Sequence, residues 1–251
     1  MDAVVVTHNS AEDLRGLLAS VPLRAAFDRI VVIDNGSTDD TMSVAETSGV
    51  ELVARRVNDG FGAGANVGSK LVSGNAFAIL NPDIAFQTPA VVKRALGHFE
   101  DPRVGVVVPS LRLPDGRLQD SVREIPSPGS LVARRLVRSQ AERGAIPVNT
   151  VADVPWAVAA CWFVDRGWFE RIGGFDQRYF LYFEDVDYCV RLFKHGGLVR
   201  FDPGAVVEHR HRGDSRKALF GWANRQHIRS AARFFRTHPE YLVGSRQRGE
   251  R

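Results

Sequence analysis

The chain has 251 residues, 44% of them hydrophobic and 25% charged, which suits one α/β domain with a full-sized core. Its two cysteines, Cys161 and Cys189, are too few for a disulfide framework and fit a reducing compartment; no apolar run reads as a membrane span, and the N-terminus enters a strand pattern where a secretory signal would lie. The formal charge of +4 is uneven, since residues 209–251 hold eleven Arg or Lys against three Asp or Glu, but no nucleic-acid motif accompanies that basic end.

Apolar runs at 3–7, 30–33, 50–54 and 76–80 predict strands, and helical patterns near 11–20, 39–48, 62–72 and 89–99 alternate with them. This order predicts a mainly parallel central sheet flanked by helices. Ligands of such sheets bind beyond the carboxyl ends of the strands. Those ends carry Thr7-His8-Asn9-Ser10, Asp34-Asn35-Gly36-Ser37, Asn58-Asp59-Gly60 and Asn81-Pro82-Asp83, the chemistry of one continuous site. A further strand is expected at 104–108. Residues 111–150 read as a long connection with one short helix and a basic cluster at Arg134, Arg135 and Arg138. Strands are expected again at 156–164, 198–201 and 205–207. Near the end, Phe220, Trp222, Ile228, Ala231, Ala232, Phe234 and Phe235 interleave with Arg225, Arg229, Arg233 and Arg236. That is the make-up of a basic amphipathic helix, expected over about 216–238, of the kind that lies on an anionic membrane surface. A packed terminal helix with a solvated basic face has the same pattern.

Four segments carry chemistry. Asp34, at a strand end, can accept a hydrogen bond from a nucleotide base or ribose. The stretch 58–68, with Gly60, Gly62, Gly64 and Gly68, is a glycine-rich loop turning into a helix, where a phosphate can approach the backbone. Asp83 can hold a hard divalent cation, although Asn-Pro-Asp is also an ordinary turn. His209 and His211 follow the last strand and can meet phosphate or metal. The most informative stretch is 173–191. After Gly173-Gly174 come Phe175, Tyr179, Phe180, Tyr182 and Phe183, then Glu184, Asp185 and Asp187 at a helix start. Carboxylates against an aromatic wall are costly unless paired or used. An N-capped helix with a buried aromatic flank is the plain alternative.

Together, Val4-Val5-Val6-Thr7-His8-Asn9-Ser10, Val32-Ile33-Asp34-Asn35-Gly36-Ser37, Gly60-Phe61-Gly62 through Asn66-Val67-Gly68, Leu80-Asn81-Pro82-Asp83 and Gly173-Gly174-Phe175-Asp176 through Glu184-Asp185-Val186-Asp187 resemble the family-2 inverting glycosyltransferases of GT-A fold. The likeness is strongest to their bacterial rhamnosyltransferase branch and runs from about residue 2 to 236. It implies a single GT-A domain over 1–251, with a nucleotide-binding half to about 108, an acceptor-binding half to about 215 and the basic helix after it. It also implies roles: Thr7 and Asp34 on the base, with Asn9, Asn35, Asp59, Gly60, Gly62, Asn66 and Asn81 lining the nucleotide pocket. Asp83 and His209 would serve a Mg2+ or Mn2+ ion, Asp185 would be the catalytic base, and Glu184 its neighbour toward the acceptor. Asp187 belongs to the helix itself. The chain departs from the family where Asn81 replaces the first acid of the Asp-x-Asp motif, where His8 replaces a frequent tyrosine, and where Ala159-Ala160 replace Gly-Ala.

The implied donor is dTDP-L-rhamnose, with UDP-sugars as the alternative. The implied acceptor is a polyprenyl-diphosphate-linked sugar or another cell-envelope glycan, reached from the cytoplasm at the inner face of the plasma membrane. Two other readings compete. A nicotinamide-dependent oxidoreductase would use the glycine loop but leaves Glu184, Asp185 and Asp83 without work. A non-catalytic nucleotide-sugar-binding or membrane-binding protein of the same fold would bind the donor without turnover.

Overall fold

A computed structural model describes residues 1–136, 149–210 and 221–242. Arg138, His211, Arg212 and Phe220 lie outside the described residues, as do the side chains of Arg134 and Arg135. The first four strands, β1 (Asp2–Thr7), β2 (Ile30–Asp34), β3 (Glu51–Ala54) and β4 (Ala76–Leu80), are parallel and ordered β3-β2-β1-β4. Helices α1 (Ala11–Leu18), α2 (Val21–Ala26), α3 (Thr41–Thr47) and α4 (Phe61–Ser69) lie between them. Side chains alternate across the sheet. Val4, Val6, Val31, Ile33, Phe77 and Ile79 enter one apolar cluster, while Ala3, Val5, Ile30, Val32, Ala78 and Leu80 enter the other. Both faces are covered, so β1 is buried along its whole length and reads in sequence as an unbroken apolar run.

The second half extends this sheet. It comprises β5 (Ile84–Phe86), α5 (Ala90–Gly97), β6 (Val104–Arg112), β7 (Val122–Arg123), α6 (Pro128–Leu136), β8 (Ala152–Asp153), β9 (Trp156–Ala157), β10 (Cys161–Asp165), α7 (Arg166–Arg171), α8 (Glu184–Lys194) and β11 (Leu198–His209). Among the described residues the sheet order continues β4-β10-β6-β11-β5, with β8 on β11.

Two strand expectations need correction. The run 156–164 is not one strand. Its start pairs with β7 in a small separate ribbon, and β10 runs antiparallel between β4 and β6, so the sheet is mixed. The runs 198–201 and 205–207 are one strand, whose register against β6 shifts between Asp202 and Val206. Pro203 and Gly204 lie in that shift, and bulges tolerate such residues.

The basic C-terminal helix forms as α9 (Trp222–Thr237). It is docked along its apolar side. Ser230, Ala231 and Phe234 are buried, and Phe234 and Phe235 pack on Phe183 just ahead of α8. No helix among the described residues is long and apolar enough to cross a membrane.

Candidate active site

At the carboxyl ends of β1 and β2 the expected nucleotide residues form a tight polar network. Thr7 pairs in register with Asp34. Asp34 is fully buried and accepts 2.9 Å from the Ser37 N–H and a short bond from the Ser37 hydroxyl. Asn35 donates to the Gly60 carbonyl at 3.0 Å and accepts 2.8 Å from Arg55, which reaches on to Asp59 at 2.7 Å. Asn9 accepts 2.8 Å from the Thr38 N–H. Thr7 alone keeps a buried hydroxyl with no hydrogen-bond partner.

The glycine-rich segment is closely packed, at Gly62 and around Asn66 as elsewhere along it. A Cβ on Gly68 would lie 2.2 Å from Val4, one on Gly64 2.7 Å from Val6, and one on Gly62 2.8 Å from Phe175. These glycines press α4 onto β1 and onto the Phe175 turn. The Asn66 side chain donates to the Phe175 carbonyl at 2.8 Å and accepts from its N–H at 2.9 Å, so its amide is already used. At Gly60 (φ 96°) a Cβ would fall 2.1 Å from the Phe180 carbonyl oxygen.

The segment ahead of α8 has an unusual backbone. Tyr182 (φ 67°) and Phe183 (φ 68°) are consecutive non-glycine residues in the left-handed region, a conformation that costs free energy and must be held by its surroundings. The holders come from α9: the Ser230 hydroxyl donates 2.8 Å to the Leu181 carbonyl, and His227 packs on both Tyr182 and Phe183. This turn delivers Glu184 and Asp185 as the first residues of α8. Asp185 accepts from the Val186 N–H at 2.8 Å and the Ala159 N–H at 3.4 Å. Glu184 is 7% exposed, and its Oε2 is buried without a hydrogen-bond partner. Burial, with the neighbouring Asp185 charge, pushes Glu184 up to about 8. Burial also raises Asp185, to about 6, against the opposing pull of the Val186 and Ala159 N–H groups. Near neutral pH the pair therefore holds a single proton between them, because two adjacent carboxylates withdrawn from water resist joint ionisation. Asp187 is bound instead by Arg191 at 2.7 Å and His238 at 2.9 Å within the packing of α8.

Asp83 and His209 meet through strand pairing. His209 stands opposite Ile84 in the β11–β5 register, and its Nε2 lies 3.2 Å from Asp83 Oδ1. Its Nδ1 lies 2.7 Å from Gln119 Oε1, and in the tautomer that donates from Nδ1 the Nε2 atom is left to act as a metal ligand beside Asp83. Two donors sharing a small divalent cation in adjacent octahedral positions stand about 3 Å apart. The pair fits such an ion with both atoms as ligands. No cluster of three His, Cys, Asp or Glu exists among the described residues, which leaves the remaining positions to phosphate oxygens and water.

One cavity of about 610 Å³ joins these parts. Its wall contains Asn81, Asp83, Gln119, His209, Glu184 and Asp185, with Trp156, Tyr182 and Phe183 as aromatic lining. Thr7, Asn9, Asp34, Asn35 and Asp59 lie outside that wall, while Phe61, next to Gly60, is in it. Gln119, Arg55 and Trp156 were not anticipated. Only the strand register and the return of the 119–123 segment bring the first of these to His209.

A Rossmann-like sheet whose strand ends feed a cavity of this make-up defines the GT-A class. The fold matches the solved mannosyltransferase PcManGT of Pyrobaculum calidifontis, bound to GDP-Man and Mn2+, with a TM-score of 0.65 at 18% identity; the match covers 94% of this chain and 64% of that one. The chain belongs to glycosyl transferase family 2, whose family model matches residues 2–173, a span that ends before α8. It is 32% identical over 235 residues to the N-acetylglucosaminyl-diphospho-decaprenol L-rhamnosyltransferase of Mycobacterium tuberculosis, covering 83% of this chain and 75% of that protein. It is 25% identical to the rhamnosyltransferase WbbL of Escherichia coli K12, covering 92% and 90%.

Proposed function

We propose that the protein transfers L-rhamnose from dTDP-L-rhamnose to a hydroxyl of a polyprenyl-diphosphate-linked sugar or related cell-envelope glycan, with inversion at the anomeric carbon, at the cytoplasmic face of the membrane. One observation carries the reading: a raised, sparsely bonded Asp185 opens to the same cavity as the Asp83–His209 pair. The names of the two rhamnosyltransferase relatives support the donor and acceptor classes.

Asp185, ionised near neutral pH, takes the proton of the acceptor hydroxyl as that oxygen attacks the anomeric carbon and the diphosphate leaves from the opposite face. Glu184 holds its proton in this range and offers an O–H that orients the acceptor. Trp156, Tyr182 and Phe183 line the cavity and exclude water from the sugar as it is transferred. Thr7 and Asp34 face the base, with Asn9, Asn35, Asp59 and Gly60 forming the wall beside it. Asp83 and His209 would hold a Mg2+ or Mn2+ ion, which when bound supplies Lewis-acid neutralisation of the departing diphosphate.

Asp185→Asn tests the assignment. Transfer should fall by about 10²–10⁴-fold, while dTDP still raises the melting temperature as it does in the wild type. Near-normal turnover in that variant refutes the base. Equal stabilisation by UDP and dTDP moves the donor to the uridine class.

A further inference from the structure

The arginines of α9 differ from many of those elsewhere in the molecule. Arg55, Arg94, Arg123, Arg166, Arg191 and Arg200 each pair with a carboxylate. Arg225, Arg229, Arg233 and Arg236 form no ion pair or hydrogen bond among the described residues. Their spacing of four, four and three places all four on one helix face, away from buried Ala231 and Phe234. Two of them do more than face solvent. Arg229 and Arg233 line a cleft of about 260 Å³ with Arg178, Phe180, Gln226 and Ser230. Arg178 is held toward Asp176 by a bidentate pair, so the cleft keeps a net of two positive charges. Phe180 gives it an apolar wall, and Gln226 adds an amide. Two arginines without carboxylate partners among the described residues, beside a third already paired, on the wall of a recess of this size suit a phosphate ester, which takes forked N–H donors from more than one side.

The cleft is separate from the Asp185 cavity. The two lie on opposite sides of the turn at 180–183: Leu181, Tyr182 and Phe183 line the large cavity, whereas Phe180 lines the cleft. They also share α9, whose Ala223, Asn224 and His227 face the large cavity and whose Gln226, Arg229, Ser230 and Arg233 face the cleft. We propose that the Arg178–Arg229–Arg233 cleft is a second anion site that binds the phosphate of an anionic lipid headgroup. The surroundings favour a lipid source over a soluble one. Trp222 and Ile228, both more than half exposed, lie on the same helix, and aromatic and aliphatic side chains beside arginines are the residues that enter a bilayer interface. A headgroup seated there would bear on Ser230, and through its bond to the Leu181 carbonyl on the turn that carries Glu184 and Asp185. This goes beyond the donor and acceptor reading and is tested without turnover.

The full chain is titrated by calorimetry with inorganic diphosphate in EDTA, which keeps the Asp83–His209 pair out of the measurement. Saturable binding is expected. R229A/R233A should weaken it at least about tenfold, while R225A/R236A, which removes the same charge from the same face outside the cleft, should stay within about twofold. Equal loss in both pairs, or no binding at all, overturns the site. Sedimentation with phosphatidylglycerol–phosphatidylcholine vesicles then identifies the source. Binding that R229A/R233A reduces by about tenfold or more, and that soluble diphosphate displaces, supports the headgroup. Vesicle binding indifferent to both, or none, overturns the lipid assignment. Retained stabilisation of R229A/R233A by dTDP shows that the variant is folded, whichever way the donor reading falls.

Discussion

Asp34 and Asp185 both sit at the edges of secondary structure, and both carboxyl groups are withdrawn from solvent, yet they are built to opposite ends. Around Asp34, Ser37 donates twice to the carboxylate, and Asn35, Arg55 and Asp59 bond one another in sequence, with only the Thr7 hydroxyl left without a partner. Asp185 also accepts two N–H bonds, one of them long at 3.4 Å, but it stands beside a second buried carboxylate, Glu184, one of whose oxygens has no donor. The first region is a closely bonded polar network. The second keeps a carboxylate whose charge is costly and whose proton is exchangeable. Burial alone therefore does not mark a carboxyl with a raised pKa; burial of two adjacent carboxylates, one of them without donors, does.

This contrast can be broken or sharpened experimentally. The largest effect is the expected loss of transfer in Asp185→Asn, with thermal stability equal to or above the wild type, because a charge that was costly to bury is gone. A parallel loss of activity and stability would put Asp185 in the structural class with Asp34. Next, transfer by the wild type should decline about tenfold per pH unit below about 6, as Asp185 takes up a proton; a flat initial-rate profile down to about pH 5 contradicts the base. Asp83→Ala should abolish the part of dTDP-dependent stabilisation that EDTA removes from the wild type, worth about tenfold or more in affinity. Unchanged EDTA sensitivity in the variant would place the ion elsewhere. On the structural side, Asn66→Ala leaves the Phe175 N–H and carbonyl unpaired and should lower stability by about 2–4 kcal/mol in urea unfolding. The smallest effect concerns Glu184. Its folded-state pKa lies above its unfolded one, so the folded protein binds that proton more tightly and loses stability as pH climbs from about 4.5 to about 8. Glu184→Gln should flatten this decline by at least about 1 kcal/mol over that interval. An unaltered slope would mean that Glu184 is not the group holding the proton.

The strand ends of the first half were legible because strands buried on both faces read as apolar runs, and the polar residues closing each run then mark the mouth of the sheet. Asp34 and Asp83 stood out in this way, and Asp185 through its place behind an aromatic run at a helix start. The two demands that meet at Gly62 have a physical source. A helix pressed against a strand and a loop open to phosphate both require missing side chains, and 62, 64 and 68 satisfy either demand. The division of 156–164 was hidden because Val158, Ala159 and Ala160 continue the apolar pattern through the break. The closeness of His209 to Asp83 rests on one β11–β5 register, between segments more than 100 residues apart. The left-handed pair at Tyr182 and Phe183 left no trace in sequence, since aromatic residues there suggest core rather than a strained turn.

Gly60 has a consequence of another kind. Its bare α-carbon lets the chain just after Asp59 touch the main chain at Phe180, four residues before Glu184. The span between the Asp59 loop and the turn that carries Glu184 and Asp185 is thus gauged backbone to backbone, with no side chain as a spacer. Even one methyl group at position 60 would act as a shim, moving the acid pair away from that loop while leaving every functional group in the protein chemically intact.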